Sequence, residues 1–85
     1  MDKFSALGMF VATAEQGSFS RAAELLGKTP SALTKAVSHL ERELGAQLFE
    51  RSTRRIVLTE AGRLYLDTAR QVLQRLHEAG EEIGQ

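Results

Sequence analysis

The stretch T-P-S-A-L-T-K-A-V-S-H-L-E-R-E-L, residues 29–44, decides how the chain is read. Thr29 can cap a helix by accepting a hydrogen bond from one of its orphan N–H groups. Pro30 then falls at the first helical position, where a missing N–H costs nothing. Leu33, Val37, Leu40 and Leu44 recur at the spacing of one helical face, with Ala36 at its margin, and Gly45 supplies a left-handed stop. That face points inward. At ~100° per residue, Ser31, Lys35, Ser38 and Arg42 lie opposite the leucines, flanked by Thr34 and His39. The outward stripe is polar and basic, with no acid in its first two turns. Such a stripe suits a helix in a DNA major groove, where side chains hydrogen-bond to base edges. It equally suits an ordinary solvated helix face, so the flanking sequence has to decide.

Upstream, Phe4, Leu7, Phe10, Val11 and Ala14 repeat at three- and four-residue steps up to Gly17, which reads as a first helix. Ser18 is an N-cap, and Phe19 opens a short second helix whose Ala22, Ala23, Leu25 and Leu26 form a face for close packing, stopped by Gly27. Few residues remain before the cap at Thr29. Two helices joined by so tight a turn, the second with a polar outward stripe, form a helix-turn-helix.

Downstream of Gly45 the texture changes to A-Q-L-F-E-R, S-T-R-R and I-V-L-T. The short apolar groups Leu48–Phe49 and Ile56–Val57–Leu58 favour a small β-hairpin, a wing with Arg54 and Arg55 at its tip and Arg51 at its base. Guanidinium groups so placed can bind phosphates or enter a narrow minor groove. Thr59 then caps a long final helix with Glu60 in its first turn. Tyr65, Ala69, Val72, Leu76, Ala79 and Ile83 follow the a/d spacing of a coiled-coil seam, widened by Leu66 and Leu73. The first turns, with Ala61 and Leu64, are expected to dock on their own domain. At ~1.5 Å per residue the helix outruns so small a core, and its distal seam calls for a second chain. The fold expected is mainly α with a small β-hairpin: a winged helix-turn-helix over residues 1–58, then a linker and dimerisation helix over 59–85.

Eighty-five residues make one small domain, marginal without a partner. The absence of cysteine excludes disulfides and thiolate metal sites and fits a reducing cytoplasm. The first residues lack the pattern of a cleaved leader, and no apolar run reaches the ~20 residues needed to cross a bilayer. Net charge is zero, yet residues 18–59 carry seven bases against four acids, a balance of +3 between two acidic ends. For binding a polyanion, the local field matters more than the total.

The stretches F-V-A-T-A-E-Q-G-S-F-S-R-A-A-E-L-L-G, S-A-L-T-K-A-V-S-H-L-E-R-E-L-G-A-Q-L-F-E-R and R-R-I-V-L-T-E-A-G closely resemble the N-terminal domain of LysR-type transcriptional regulators. The likeness runs from about Phe4 to Gly62, and L-E-R-E-L-G-A-Q-L-F-E-R is its most specific part. The resemblance implies a winged helix-turn-helix, dimerisation through the last helix and binding to interrupted palindromic promoter DNA. It also implies an effector-binding domain that this chain lacks, through which a small molecule would act. The family's groove-reading places, commonly glutamine, proline or serine, alanine, serine and arginine, hold Pro30, Ser31, Ala32, Thr34 and Lys35 here. Pro30 removes a side chain able to make a bidentate contact to adenine. Lys35 offers a point charge in place of a planar fork.

Ser31, Thr34, Lys35 and His39 are therefore expected near base edges, with Ser18, Arg21, Thr29, Arg42, Arg51, Arg54, Arg55 and Thr59 on the backbone or minor groove. His39 has a second reading, a pair with Glu43 one turn on. A competing function is a winged-helix module for protein partners, but its interface would want aromatic anchors where the third helix has a polar stripe. An enzyme is remote. His39 and His77 lie on different helices, no acid cluster suggests a metal, no glycine-rich loop resembles a phosphate cradle, and no cofactor is expected.

Overall fold

The computed structural model describes residues 2–51 and 55–84. Four helices follow one another: α1 (Lys3–Gln16), α2 (Phe19–Leu26), α3 (Pro30–Leu44) and α4 (Glu60–Ile83). Their limits follow from capping. The side chains of Asp2, Ser18, Thr29 and Thr59 each accept a backbone N–H from the first turn they precede, and Gly17, Gly27 and Gly45 stop α1 to α3 at φ +67° to +68°. At the α2–α3 turn, Lys28 N–H closes 2.8 Å onto the Ala23 carbonyl, so the chain reverses within a few residues.

The core lies where α1 meets the other three helices, while α2 and α3 also pack on each other. Phe10, Leu33, Val37, Leu40 and Leu48 are fully buried, each worth about 1.5–3 kcal/mol of transfer free energy. Phe10 stands 5.5 Å from Phe49 and 5.9 Å from Tyr65, ring centre to ring centre, and Phe49 meets Phe19 edge-on at 5.9 Å. Ala22 and Ala23 bring α2 close, as their size allows. Leu25, 66% exposed, and Leu26 stand outside that contact, so the expected apolar face of α2 narrows to its alanines.

Two further expectations are met only in part. The hairpin reduces, among the described residues, to one antiparallel bridge, Phe49 with Leu58, closed by Glu50 N–H to Val57 O at 2.8 Å and Thr59 N–H to Leu48 O at 3.0 Å. Leu48 and Phe49 are held in the core, and the chain enters α4 at Glu60. Residues 52–54, including the expected wing-tip Arg54, lie outside the described residues. On α4, Gly62, Leu66 and Ala69 are buried against the chain's own domain, whereas Leu64 is 69% exposed. Of the proximal seam positions, Ala69 is buried in the intrachain core and Tyr65 is half-buried against it, where its ring meets Phe10.

Beyond those turns α4 projects, and the molecule measures 47 × 25 × 21 Å. Leu76 and Ile83 are exposed, Val72 and Leu73 half-buried, and Ala79 exposed. Phe4, Thr68, Val72 and Leu76 line an open apolar groove beside α1.

Candidate nucleic-acid interface

The inward face of α3 is Leu33, Ala36, Val37 and Leu40, with Leu44 left exposed at the end. Its opposite face is therefore fixed by packing. Ser31, Thr34, Lys35 and Arg42 are exposed there, with Ser38 and His39 half-buried at the margins.

Thr29 Oγ1 accepts the Ala32 N–H at 3.2 Å and lies 3.3 Å from Ser31 Oγ, so the cap and the first outward hydroxyl form one polar end. Thr34 donates its hydroxyl to the Pro30 carbonyl at 3.1 Å, leaving an oxygen lone pair and the methyl group for a partner. Pro30 at the first helical position has no N–H to satisfy. Lys35 extends from the same surface one residue further on.

His39 Nε2 lies 3.7 Å from Glu43 Oε1, one turn on, and that oxygen is also 3.8 Å from Lys3 Nζ. Ser18 caps α2 through Arg21 N–H at 3.2 Å, with Arg21 exposed. Thr59 Oγ1 accepts Gly62 N–H at 2.9 Å and donates to the Gln47 carbonyl at 2.6 Å, so its hydroxyl is committed within the protein. Arg55 is exposed at the return of the connecting segment.

Arg51, expected at the base of the wing, is paired with an acid of α3. Its Nη2 pairs with Glu41 Oε1, while Glu41 Oε2 accepts the Leu48 N–H at 2.8 Å. Glu41 is 8% exposed, the one buried acid among the described residues. Helical periodicity alone could not reveal this arrangement, since the partners lie seven and ten positions away in a non-helical segment. Ser38, Arg42, Gly45, Ala46, Gln47 and Arg51 line a shallow depression beside the outer face of α3. Among the described residues no group of three or more His, Cys, Asp or Glu could hold a metal, and no helix is long and apolar enough to cross a membrane.

A tight helix-turn-helix whose second helix turns a polar, basic face outward, followed by a wing segment and a projecting helix, defines a protein of the winged helix-turn-helix class. The model of the bacterial regulatory helix-turn-helix proteins of the lysR family matches residues 4–63. The chain belongs to this family and is a LysR-type helix-turn-helix DNA-binding domain.

Among its relatives are the probable transcriptional regulator LtrA of Klebsiella pneumoniae, 42% identical over 92% of this chain and 25% of that protein, and CrgA of Neisseria meningitidis, 44% identical over 91% of this chain and 26% of that protein. The chain thus spans about a quarter of the length of these curated relatives, which are named as transcriptional regulators. Of the solved structures, the BenM DNA-binding domain in complex with catB site 1 DNA superposes with a TM-score of 0.92 at 31% identity, covering 99% of this chain and 92% of that one. The CbnR DNA-binding domain in complex with DNA gives 0.86 at 38% identity, covering 96% and 93%.

Proposed function

We propose that this domain reads double-stranded promoter DNA for a bacterial transcriptional regulator, acting in the cytoplasm as a homodimer with one α3 per half-site of an interrupted palindrome. The observation that carries the reading is the outer face of α3: Ser31, Thr34 and Lys35 are exposed together at its N-terminal end, and the first two turns of the helix contain no acid. In the major groove, Lys35 suits the O6 and N7 acceptors of guanine. The Thr34 methyl suits a thymine methyl, and its oxygen suits an amino donor. His39, held beside Glu43, stands at the edge of this set.

Phosphates on either side fall to Ser18, Arg21, Thr29, Arg42, Arg51 and Arg55, with Arg54 assigned to the minor groove or backbone; Thr59, whose hydroxyl proton is committed to the Gln47 carbonyl, fixes the start of α4 instead of meeting a phosphate. The similarity to domains solved with DNA supports this assignment. The distal face of α4, through Val72, Leu73, Leu76, Ala79 and Ile83, is the proposed contact between copies. A small-molecule effector would act outside the stretch this chain covers, and the DNA contact itself calls for no cofactor.

Selection of binding sites from random DNA at a stated salt concentration tests the reading. The expected result is a recovered half-site in two copies at a fixed spacing, bound with an affinity that falls steeply as salt rises. Recovery of no common sequence, together with salt-indifferent binding, would overturn it.

A further inference from the structure

Glu41 is an acid on the helix assigned to DNA, where a carboxylate facing phosphate would oppose binding. Its placement removes that conflict. It is buried near the C-terminal end of α3, with one oxygen on the Leu48 N–H and the other on the Arg51 guanidinium. Its own carbonyl accepts Gly45 N–H at 2.8 Å and Ala46 N–H at 3.2 Å. One residue therefore ties the end of α3 to the segment that leads into the wing. Arg51 is 50% exposed and shares its depression with Ser38 and Arg42 of the outward stripe. A guanidinium carries five N–H donors in a rigid fork, more than one carboxylate oxygen can take.

We propose that Glu41 is a positioning residue for DNA binding: it holds the Arg51 fork at the edge of α3 so that the remaining N–H groups meet a backbone phosphate flanking the segment read by the helix. This rests on the DNA reading given above and adds a division of labour to it. Glu41 neutralises much of the long-range pull of Arg51 and in exchange fixes its direction, so less side-chain freedom is lost when the phosphate arrives.

The test is fluorescence anisotropy on a labelled duplex of mixed sequence, measured over a salt series. The native chain, Arg51→Ala, Glu41→Gln and the double variant are compared, each shown folded by circular dichroism. Arg51→Ala is expected to reduce the slope of log affinity against log salt by about 0.9, one phosphate's share. Glu41→Gln, whose amide oxygen still accepts the Leu48 N–H, is expected to weaken binding about two- to ten-fold. In the Arg51→Ala background it should add less than about two-fold. An unchanged slope in Arg51→Ala overturns the proposal, as does an equal Glu41→Gln effect in both backgrounds, which would make Glu41 a strut of the fold alone.

If Glu41→Gln does not fold, Arg51→Lys decides. It keeps a cation for Glu41 but loses the fork, so weakened binding at full slope supports the proposal and native affinity overturns it. Loss of all salt-dependent binding in the native chain would sink the DNA reading itself, an outcome distinct from a native chain that binds and an Arg51→Ala variant that binds alike.

Discussion

At the scale of single residues, two side chains act through opposite logic. Lys35 is exposed and projects from the outer face of α3, so its loss should barely touch stability. It should weaken DNA binding by roughly 1–3 kcal/mol. Anisotropy on the selected duplex and on a scrambled one checks this, and a base contact shows as a larger loss on the selected site. Asp2 acts on the fold. Its carboxylate accepts the Ser5 hydroxyl at 2.9 Å and the Ser5 N–H at 3.1 Å, and these bonds, the hydroxyl first, hold its pKa below the ordinary carboxylate range. A carboxyl whose pKa is depressed on folding contributes stability above its unfolded pKa and loses it as pH falls through the folded value. The melting midpoint of the native chain should therefore drop in acid relative to Asp2→Asn, whose cap does not titrate. Parallel midpoints across the acid range would contradict the cap's role. Glu41 shows the limit of reading residues by pattern. In sequence it is one of a run of charges after Leu40. Only the folded chain brings Leu48 and Arg51 to it.

At the scale of elements, the helix limits were legible because they are written locally. Ser18, Thr29 and Thr59 are short-range capping signals, as are Gly17, Gly27 and Gly45, and each does in the structure what its position suggests. What each helix face meets is a property of its neighbours and was less legible. Leu25 and Leu26 look like core on an amphipathic helix, yet α2 approaches through Ala22 and Ala23 and leaves the leucines outside. Tyr65 and Ala69 keep the spacing of a seam, but spacing does not say which chain covers it. The β-branched run at 56–57 suggests a strand, while the described segment pairs at one bridge.

The docking of α4 offers the sharpest elemental test. A Cβ on Gly62 would collide with the Leu48 carbonyl and stand 2.9 Å from Leu58 Cδ2. That carbonyl is already bonded to Thr59 N–H. Gly62→Ala should cost about 1–3 kcal/mol as an overpacked site, read as a lower urea midpoint, although alanine is the better helix former. A midpoint raised by the substitution would mean that α4 does not approach the wing root as described.

At the scale of the whole molecule, α4 extends the domain along one axis and carries apolar side chains that the chain's own core does not cover. If the exposed distal face is the contact between copies, Leu76→Glu should leave helix content and melting of the globular part nearly unchanged. Sedimentation should then show a monomer at concentrations where the native chain is dimeric. Unaltered sedimentation would move the contact elsewhere. Two copies joined this way would set the distance between their α3 helices, and with it the half-site spacing on DNA.

All of this depends on the outer face of α3 lying against base edges, and an NMR titration of the labelled protein with the selected duplex measures that directly. The largest amide shifts are expected on Ser31, Thr34 and Lys35, with smaller ones at Ser18, Arg21 and Arg51 and none at Leu33 or Val37 beyond those transmitted through the helix. Shifts concentrated on the exposed side of α4, with Ser31 to Lys35 unmoved at saturation, would contradict it.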